Sequence, residues 1–486
     1  MRNILGIILF LISAVAYGQS EVEALRYSYQ LPLGSARSMS MGGAFGALGG
    51  DLSTVSQNPA GIGIFRRNEF SISFGVNGHT SETSFGGAPT ISSNQAKFNI
   101  PQIGLLGTAE TNHPLWKRVN YAIGYHRYSD YNQVFDSRGP QNNNSLLELF
   151  AMQANGTNSE DIYDAFPFGA ALAWDAFLIN PIDTNSVDQY TSANPFGNFQ
   201  ATKLVERSGH MGETVASIGG SYDDRLYVGF TLGFPNINFN EVATYTEADI
   251  DPAHELGSFR YREELNTSGR GANFKVGLIY KVTELFRIGA AFHSPSWLTI
   301  NDNYETSIVG SFRDGDVRDS ESPINNFEYR VRTPSRMQAN AAFILGKKGL
   351  ISADYEFVNY KNIRMRDGLQ PISTYGFDAE NEAISNLYRG THNVKIGTEI
   401  RFKPWAVRAG VAYFQSPIDP AFLKTDQDRI LYSLGIGYRK ATGYIDLAYQ
   451  LSFWQEEFYH YEPNIVSAST VDNKNGQVVF TIGFRY

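Results

Sequence analysis

The sequence has no cysteine, few charged residues and no long apolar run outside its N-terminus. Without cysteine the chain has no disulfide scaffold, no thiolate metal site and no cysteine nucleophile. Charged residues make up 18% of the chain and the net charge is -9, which argues against a nucleic-acid binder. Because a membrane-spanning helix needs roughly 18 or more consecutive apolar residues, the sequence predicts no such helix.

Glycine and aromatic residues, by contrast, are abundant. The chain contains 46 glycines, 28 tyrosines and 33 phenylalanines, which is unusual for an average soluble domain. Its 8 histidines are scattered without the spacing of a zinc or haem site. We therefore expect no metal, no cofactor and no enzymatic activity.

The N-terminus has the pattern of a secretory signal peptide. Arg2 supplies a positive charge, residues 4–15 form an apolar run, and Ala16-Tyr17-Gly18 places small residues where a signal peptidase cleaves. The pattern predicts a signal peptide over residues 1–18. Because no cysteine follows, we do not expect a lipoprotein.

Two-residue alternation is the dominant pattern in the rest of the chain. In the last strand Val478, Phe480, Ile482, Phe484 and Tyr486 share one face, and small or polar residues occupy the other. Strands of outer-membrane barrels alternate in this way because one face meets lipid and the other meets the lumen. A soluble β-sandwich also alternates, but its outer face is strongly charged. The pattern therefore favours a membrane barrel.

Connection lengths support the same interpretation, since short turns alternate with long polar loops as in outer-membrane barrels. The fold class predicted is all-β: a 14-stranded antiparallel transmembrane β-barrel over residues 68–486, with a plug in its lumen. The predicted strands lie near 69–80, 98–108, 119–135, 212–221, 226–247, 257–281, 286–306, 325–346, 350–360, 392–402, 405–414, 428–439, 443–454 and 476–486.

Residues 19–67 precede the first strand and are predicted to form the plug. A 14-stranded wall encloses more space than its own side chains fill, so another part of the chain has to occupy the lumen. Residues 42–50 are rich in glycine and alanine, which permit tight turns and close approach to a wall. No Gly-Lys-Ser/Thr follows them, which argues against a phosphate-binding loop.

The N-terminal region resembles the plug of the FadL/TodX family of outer-membrane transporters of hydrophobic compounds. The resemblance rests on residues 36–45 (ARSMSMGGAF), 51–55 (DLSTV) and 57–62 (QNPAGI), with Asn58-Pro59-Ala60 as the most specific part. It implies an integral protein of the Gram-negative outer membrane that imports long-chain fatty acids or similar apolar compounds by passive diffusion. In such transporters extracellular loops capture the ligand, an apolar pocket receives it, and it leaves through a break in the wall.

Three residues along this predicted route have a specific role. Asn58 can satisfy backbone groups and Pro59 can fix a turn, so the motif either holds the plug in register or contacts ligand. Pro101 interrupts the second strand and is predicted to mark a kink in the wall; an ordinary strand irregularity is the alternative.

The long insert over residues 136–209 is too apolar for a solvated loop and is predicted to be partly helical. It either offers a groove for ligand capture or holds the loop over the barrel mouth. The predicted capture residues are Phe166, Phe168, Leu172, Trp174 and Phe177.

Cations that face the lumen are candidates for binding the carboxylate of a fatty acid. We assign this contact to Lys395 and Arg408, with pairing to wall carboxylates such as Glu399 and Asp446 as the alternative.

The expected partners are a hydrophobic small-molecule ligand, outer-membrane lipid and lipopolysaccharide, and the barrel-assembly machinery, which the C-terminal strand would contact. The alternative function is a protein-interaction barrel of a secretion pathway, like the type IX shuttle, without small-molecule transport.

Overall fold

Fourteen antiparallel strands form a closed barrel in which the last strand pairs with the first. The structure is a computed structural model and describes residues 21–31, 33–142, 144–183, 186–194, 197–251, 254–369 and 375–486. The predicted 14-stranded antiparallel barrel is confirmed. The signal peptide predicted for residues 1–18 lies outside the described residues.

Four of the wall strands consist of two segments separated by a short break. Numbered along the chain, the wall strands are β1 Glu69–Ser84, β2 Ile91–Glu110, β3 Trp116–Asp130 with Gln133–Asn142, β4 Asn198–Tyr222, β5 Leu226–Asp249, β6 Leu256–Lys281, β7 Phe286–His293 with Trp297–Phe312, β8 Asn325–Arg332 with Arg336–Leu345, β9 Gly349–Asn359 with Arg364–Asp367, β10 Gly390–Phe402, β11 Trp405–Phe414, β12 Arg429–Arg439, β13 Gly443–Phe458 and β14 Ser469–Arg485. The short strand Val317–Glu321 extends the β7–β8 connection, and Ile179–Pro181 pairs with Tyr190–Ser192.

Several strands extend farther outward than the alternation predicted. Strands β4, β5 and β6 contain 25, 24 and 26 residues, whereas about 9–11 residues suffice to cross a bilayer. Their outer halves project beyond the lipid, where the outward face need not be apolar. The alternation predicted β5 and β6 at nearly this length but underestimated β4, which was predicted to begin at residue 212.

The breaks in β7, β8 and β9 lie side by side. His293 pairs with Arg336, and on the other side of the break Trp297 pairs with Arg332. The next pair of strands repeats this arrangement, because Arg332 pairs with Arg364 beyond the break in β9. The three breaks thus form a seam across this part of the wall, just outside the membrane-spanning segments.

The helices are short and lie in the lumen or in the loops. They are α1 Glu21–Arg26, α2 Ala36–Met39, α3 Thr54–Gln57, α4 Leu146–Ala154, α5 Ile162–Ala165, α6 Ala170–Asp175 and α7 Asp378–Leu387, with 3-10 helices at Pro59–Ile64, Tyr360–Asn362 and Pro420–Phe422. Among the described residues, no helix is long and apolar enough to cross a membrane.

Residues 21–31 and 33–64 lie inside the barrel and contact several strands of its wall. The Ala36 amide donates to Thr481 of β14 at 2.7 Å. Asn120 of β3 donates to the Phe65 carbonyl at 3.1 Å, at the end of the same segment. The segment from α1 to the 3-10 helix at Pro59–Ile64 is called the plug below.

The wall strands take up both ends of the region predicted as the long insert. Strand β3 continues to Asn142 and β4 begins at Asn198, so the connection between them spans residues 143–197 rather than 136–209. Helices α4 to α6 lie within it and pack against the outer parts of β4 to β7. The difference arises because these strands extend beyond the membrane.

Candidate functional site

A buried ion-pair lattice joins the plug to the wall near the periplasmic end of the barrel. Arg37 of α2 donates from Nε to Glu399 of β10 at 3.0 Å. Arg408 of β11 donates to the same carboxylate at 2.7 Å and to Asp446 of β13 at 2.8 Å. The Arg408 side chain is 0% exposed. The structure therefore places Arg408 among wall carboxylates, and its predicted contact with ligand remains a prediction.

The Asn58-Pro59-Ala60 motif forms a second connection between plug and wall. Asn58 caps the 3-10 helix at Pro59–Ile64, because its Oδ1 accepts the Ala60 amide at 3.1 Å. Its Nδ2 donates to the Leu278 carbonyl of β6 at 3.2 Å and to the Ala290 carbonyl of β7 at 3.4 Å. One amide side chain thus fixes the plug against two wall strands.

The backbone of the plug also lies in close contact with the wall. Gly410 of β11 faces Met41 and Gly42, and a Cβ at Gly410 would lie far inside van der Waals contact with their backbone atoms. Gly42 itself has φ +63, a conformation that glycine adopts without strain. The wall therefore has no space for a side chain at Gly410 while the plug is seated.

A cavity of about 630 Å³ lies between the N-terminal part of the plug and the barrel wall. Its walls come from α1 and the following residues, the bend of β3, and the inward faces of β12, β13, β14 and β1. Apolar and aromatic side chains that line it include Leu25, Leu31, Leu33, Phe239, Trp454 and Tyr29. The cavity also contains polar and charged side chains, such as Gln450 and Glu456, and is therefore mixed in polarity.

Arg429 is a cation of this cavity that the described residues leave without a carboxylate partner. Its guanidinium carbon lies 3.5 Å from the centroid of the Trp454 ring and 5.6 Å from that of Tyr29. Within the described chain its guanidinium makes no hydrogen bond and no ion pair, whereas Arg207 in the same cavity pairs with Glu241 at 2.5 Å. Arg429 thus presents its N–H donors toward the cavity.

Arg429 was not among the cations predicted from the sequence to contact ligand. Its inward orientation could be inferred from the sequence. Arg429 is adjacent to the lipid-facing Ile430, and successive strand residues point to opposite faces. Orientation alone did not distinguish Arg429 from lumen-facing cations that form ion pairs with carboxylates.

Lys395 of β10, the other predicted carboxylate contact, is buried and does not line the cavity. Its Nζ lies 5.7 Å from the Phe414 ring centroid. Its contact with ligand remains a prediction.

The ladder between β2 and β3 is incomplete next to the cavity. Strand β3 pairs with residues 102–110 of β2, while residues 91–99 of β2 pair with β1 alone. The outer segment of β3 turns inward, where Ser137 contacts Ser469 of β14 at 2.6 Å. Pro101 lies at the edge of this gap, at the register shift between Ser73 and Gly75 of β1.

The predicted capture residues of the insert lie mainly in a packed core. Phe168 and Leu172 are buried, and Phe166 and Trp174 are partly buried against the same cluster. Phe177 is 55% exposed and has Arg318 stacked over its ring at 4.3 Å. Ligand capture by these residues remains a prediction, with Phe177 as the exposed member of the five.

The insert is attached to the wall through a buried carboxylate, Glu247, near the outer end of β5. Ser145, the N-cap of α4, donates to Glu247 at 2.6 Å, and the Leu146 amide donates to it at 3.0 Å. Burial raises the pKa of Glu247 to about 7, although these hydrogen bonds oppose the shift. The carboxyl therefore binds its proton more tightly in the folded insert than in the unfolded chain.

We expect the insert to lose stability as the pH rises from about 4.5 to about 7, the ordinary and folded pKa values of Glu247. The loss is on the order of 3 kcal/mol, because each pKa unit is worth about 1.4 kcal/mol. Glu247→Gln should remove this dependence, while Glu160→Gln, at an exposed site of the same loop, should retain it. Hydrogen exchange of residues 144–183 at pH 5 and pH 8, corrected for intrinsic rates, measures the effect. Equal protection of the native loop at both pH values would contradict the prediction.

The closed barrel, its outward apolar strands and the plug in its lumen define an integral protein of the Gram-negative outer membrane. The model of the family described as outer membrane protein transport protein (OMPP1/FadL/TodX) matches residues 260–486 of this chain. This match confirms the predicted resemblance to that family. It is independent of the plug motif, because the matched residues begin within β6.

Solved structures share the fold over nearly the whole chain. A Pseudomonas aeruginosa FadL homologue is 12% identical, with a TM-score of 0.54 and coverage of 94% of this chain and 99% of that one. The Pseudomonas putida toluene transporter TodX is 13% identical, with a TM-score of 0.53 and the same coverage. The Ralstonia pickettii toluene transporter TbuX is 16% identical, with a TM-score of 0.50 over 93% of this chain and 99% of that one. No curated protein matches the chain in sequence.

Proposed function

We propose that this protein carries amphiphiles with an apolar tail and an anionic head group, such as long-chain fatty acids, across the outer membrane by passive diffusion. The family supports transport of hydrophobic compounds in general. Two of the similar structures are toluene transporters, and a TodX variant is described as a monoaromatic hydrocarbon channel. The protein-interaction alternative is not favoured by these comparisons.

The choice of substrate class rests on the guanidinium of Arg429, which lines the cavity without a carboxylate partner among the described residues. A guanidinium between two aromatic rings keeps its in-plane donors available, and a carboxylate matches their geometry. A hydrocarbon such as toluene has no group that could accept these hydrogen bonds. The apolar lining beside Arg429, including Leu31 and Leu33, suits the tail of the same molecule.

The gap between β2 and β3 supports a lateral exit. Ser129, Asp130 and Tyr131, at the bend of β3, also line the cavity. On the lipid side of β2, Phe98 is 67% exposed. A tail that leaves here enters hydrocarbon without crossing water, which is downhill for apolar surface and needs no energy source.

Arg429→Gln should lower the initial uptake of labelled oleate by about tenfold or more, as expected for one lost hydrogen bond to a charged group. Uptake of the neutral probe toluene should stay within about twofold, since the cavity and its apolar lining are retained. The assay uses cells that lack other fatty-acid transporters, with matched expression of each variant.

Lys395→Gln is the matched control, because it removes a buried lumen cation that does not line the cavity. Oleate uptake that depends on Lys395 and not on Arg429 would contradict the role of Arg429. Equal loss of oleate and toluene in Arg429→Gln would show a general defect rather than head-group recognition.

A further inference from the structure

The outward face of β6, β8 and β9 carries a cluster of arginines just outside the apolar band. The residues share one side of the wall because all are at outward positions of their strands. We name the set the arginine patch; it consists of Arg270, Arg330, Arg332, Arg364 and Arg366.

Strand register places these residues in two adjacent rows. In the lower row Arg332 pairs with Arg364 on one side and with Trp297 of β7 on the other. The next row outward places Arg330 beside Arg366 in the same way. Because paired strands lie about 4.8 Å apart, neighbouring guanidinium groups can contact one phosphorylated head group together.

Arg270 completes the outer row from the β6 side, because it pairs with Thr299 of β7, which in turn pairs with Arg330. The patch thus extends over four neighbouring strands, with β7 contributing Trp297 and Thr299 rather than a cation.

The rows lie at the level of the outer membrane interface. Directly below them, Val276 and Leu278 of β6 and Met337 of β8 are exposed apolar residues that face outward. Trp297, in the lower row, is 51% exposed, and aromatic side chains mark the edges of the hydrocarbon region in barrels. The arginines therefore meet the head groups of the outer leaflet.

The positive charge of the patch is not neutralised within the described part of the chain, where none of the five arginines forms an ion pair. Arg330 donates to the Asp367 carbonyl at 2.8 Å. Arg364 donates from Nη1 to the Lys361 carbonyl at 2.6 Å. These backbone contacts position the two guanidinium groups and leave further N–H donors free.

One carboxylate, Glu328, faces the same side one row farther out. Its Oε1 accepts the Leu369 amide at 2.7 Å. It pairs in register with Asn301 of β7, outside the two arginine rows. A single carboxylate at that distance leaves the patch strongly positive.

The opposite side of the barrel differs in charge at its outer edge. There the outward side chains of β12 to β14 and β1 border a groove of about 560 Å³. Its charged residues are mostly acidic, namely Glu82, Asp426, Asp428 and Asp472, with one cation, Lys474. The described outer edge on that side is therefore mostly acidic, in contrast to the arginine patch.

We propose that the arginine patch is a binding site for a phosphorylated lipid of the outer leaflet. The planar guanidinium matches phosphate bidentately, and several arginines in two rows can bind the phosphates of one head group. The apolar wall directly below accepts the acyl chains. The site is distinct from the ligand cavity, since its residues face away from the lumen.

Native mass spectrometry of the full mature barrel in mild detergent tests this site, with diphosphoryl lipid A as the probe. The variant combines Arg330→Gln, Arg332→Gln, Arg364→Gln and Arg366→Gln. We expect a loss of lipid A binding of tenfold or more relative to the native protein, in line with the removal of several charge-assisted contacts. Arg260→Gln is the matched control, because it removes an exposed outward arginine of β6 well beyond the interface.

A second measurement uses the native protein alone and so does not depend on folding of the variant. Dephosphorylated lipid A, with the same acyl chains, should bind at least tenfold more weakly than the diphosphoryl form. Equal binding of both lipids, equal loss in Arg260→Gln, or displacement of lipid A by millimolar inorganic phosphate would each overturn the proposal. The last outcome would indicate a general anion site rather than a lipid site.

Discussion

Replacing Arg408 by leucine is expected to lower the free energy of unfolding of the barrel by about 3–5 kcal/mol or to prevent its assembly. The guanidinium lies between Glu399 and Asp446, and all three side chains are almost fully buried. Removing it leaves two carboxylates close together in a low-dielectric lumen with fewer cations around them. Arg37 and Arg439 pair with these carboxylates but cannot occupy the space between them.

Urea unfolding in lipid vesicles, followed by the change in electrophoretic mobility of the folded barrel, measures this loss. Arg401→Leu is the matched control, because Arg401 pairs with the same Glu399 at 2.6 Å while 31% exposed. Its loss should cost about 0–1 kcal/mol, as for partly solvated ion pairs. Similar stability of Arg408→Leu and Arg401→Leu would contradict the importance of the buried lattice.

Replacing Gly410 by valine is expected to displace the plug and open the lumen to water. The new side chain would overlap the backbone of Met41 and Gly42, which cannot move aside as a flexible side chain can. Valine suits a strand, so the wall itself should form. Because a 14-stranded barrel is too wide to be filled by its own side chains, a displaced plug leaves an aqueous pore.

Swelling of vesicles in an isotonic sugar solution reports this pore. The native protein should give the background rate of empty vesicles, and Gly410→Val should give the rate of an open channel. Gly107→Val, at a wall glycine with no atom within 4 Å of the added Cβ, serves as the control and should remain closed. A Gly410→Val barrel that stays closed would contradict the prediction that this contact keeps the plug in place.

The sequence was sufficient to predict the membrane part of the wall. Each strand there has to expose every second side chain to hydrocarbon, so alternation such as Val478, Phe480 and Ile482 identifies it directly. The short turns on the periplasmic side were also recognisable in the sequence. The alternating segments and these turns together predicted the number of strands. Outside the lipid this requirement ends, which is why the outer part of β4, residues 198–211, was not predicted.

The geometry of the candidate site depends on register, which sequence alone does not supply. Arg408 and Arg429 both face the lumen, and nothing in their local sequence separates them. Strand pairing places Arg408 directly opposite Glu399. Arg429, by contrast, lies at the outer end of β12, beside Trp454. The cation proposed to bind ligand was thus distinguished from a structural one by its partners across the sheet.

The aligned breaks in β7, β8 and β9 divide this side of the protein into two mechanical parts. A continuous ladder transmits bending from one end of a strand to the other, but irregular pairing at one height interrupts it. Bending of the outer segments of β7, β8 and β9 is therefore transmitted only weakly to the membrane-spanning segments below the breaks. The segments outside the breaks can also vary in length without changing the circumference of the membrane-spanning part of the barrel.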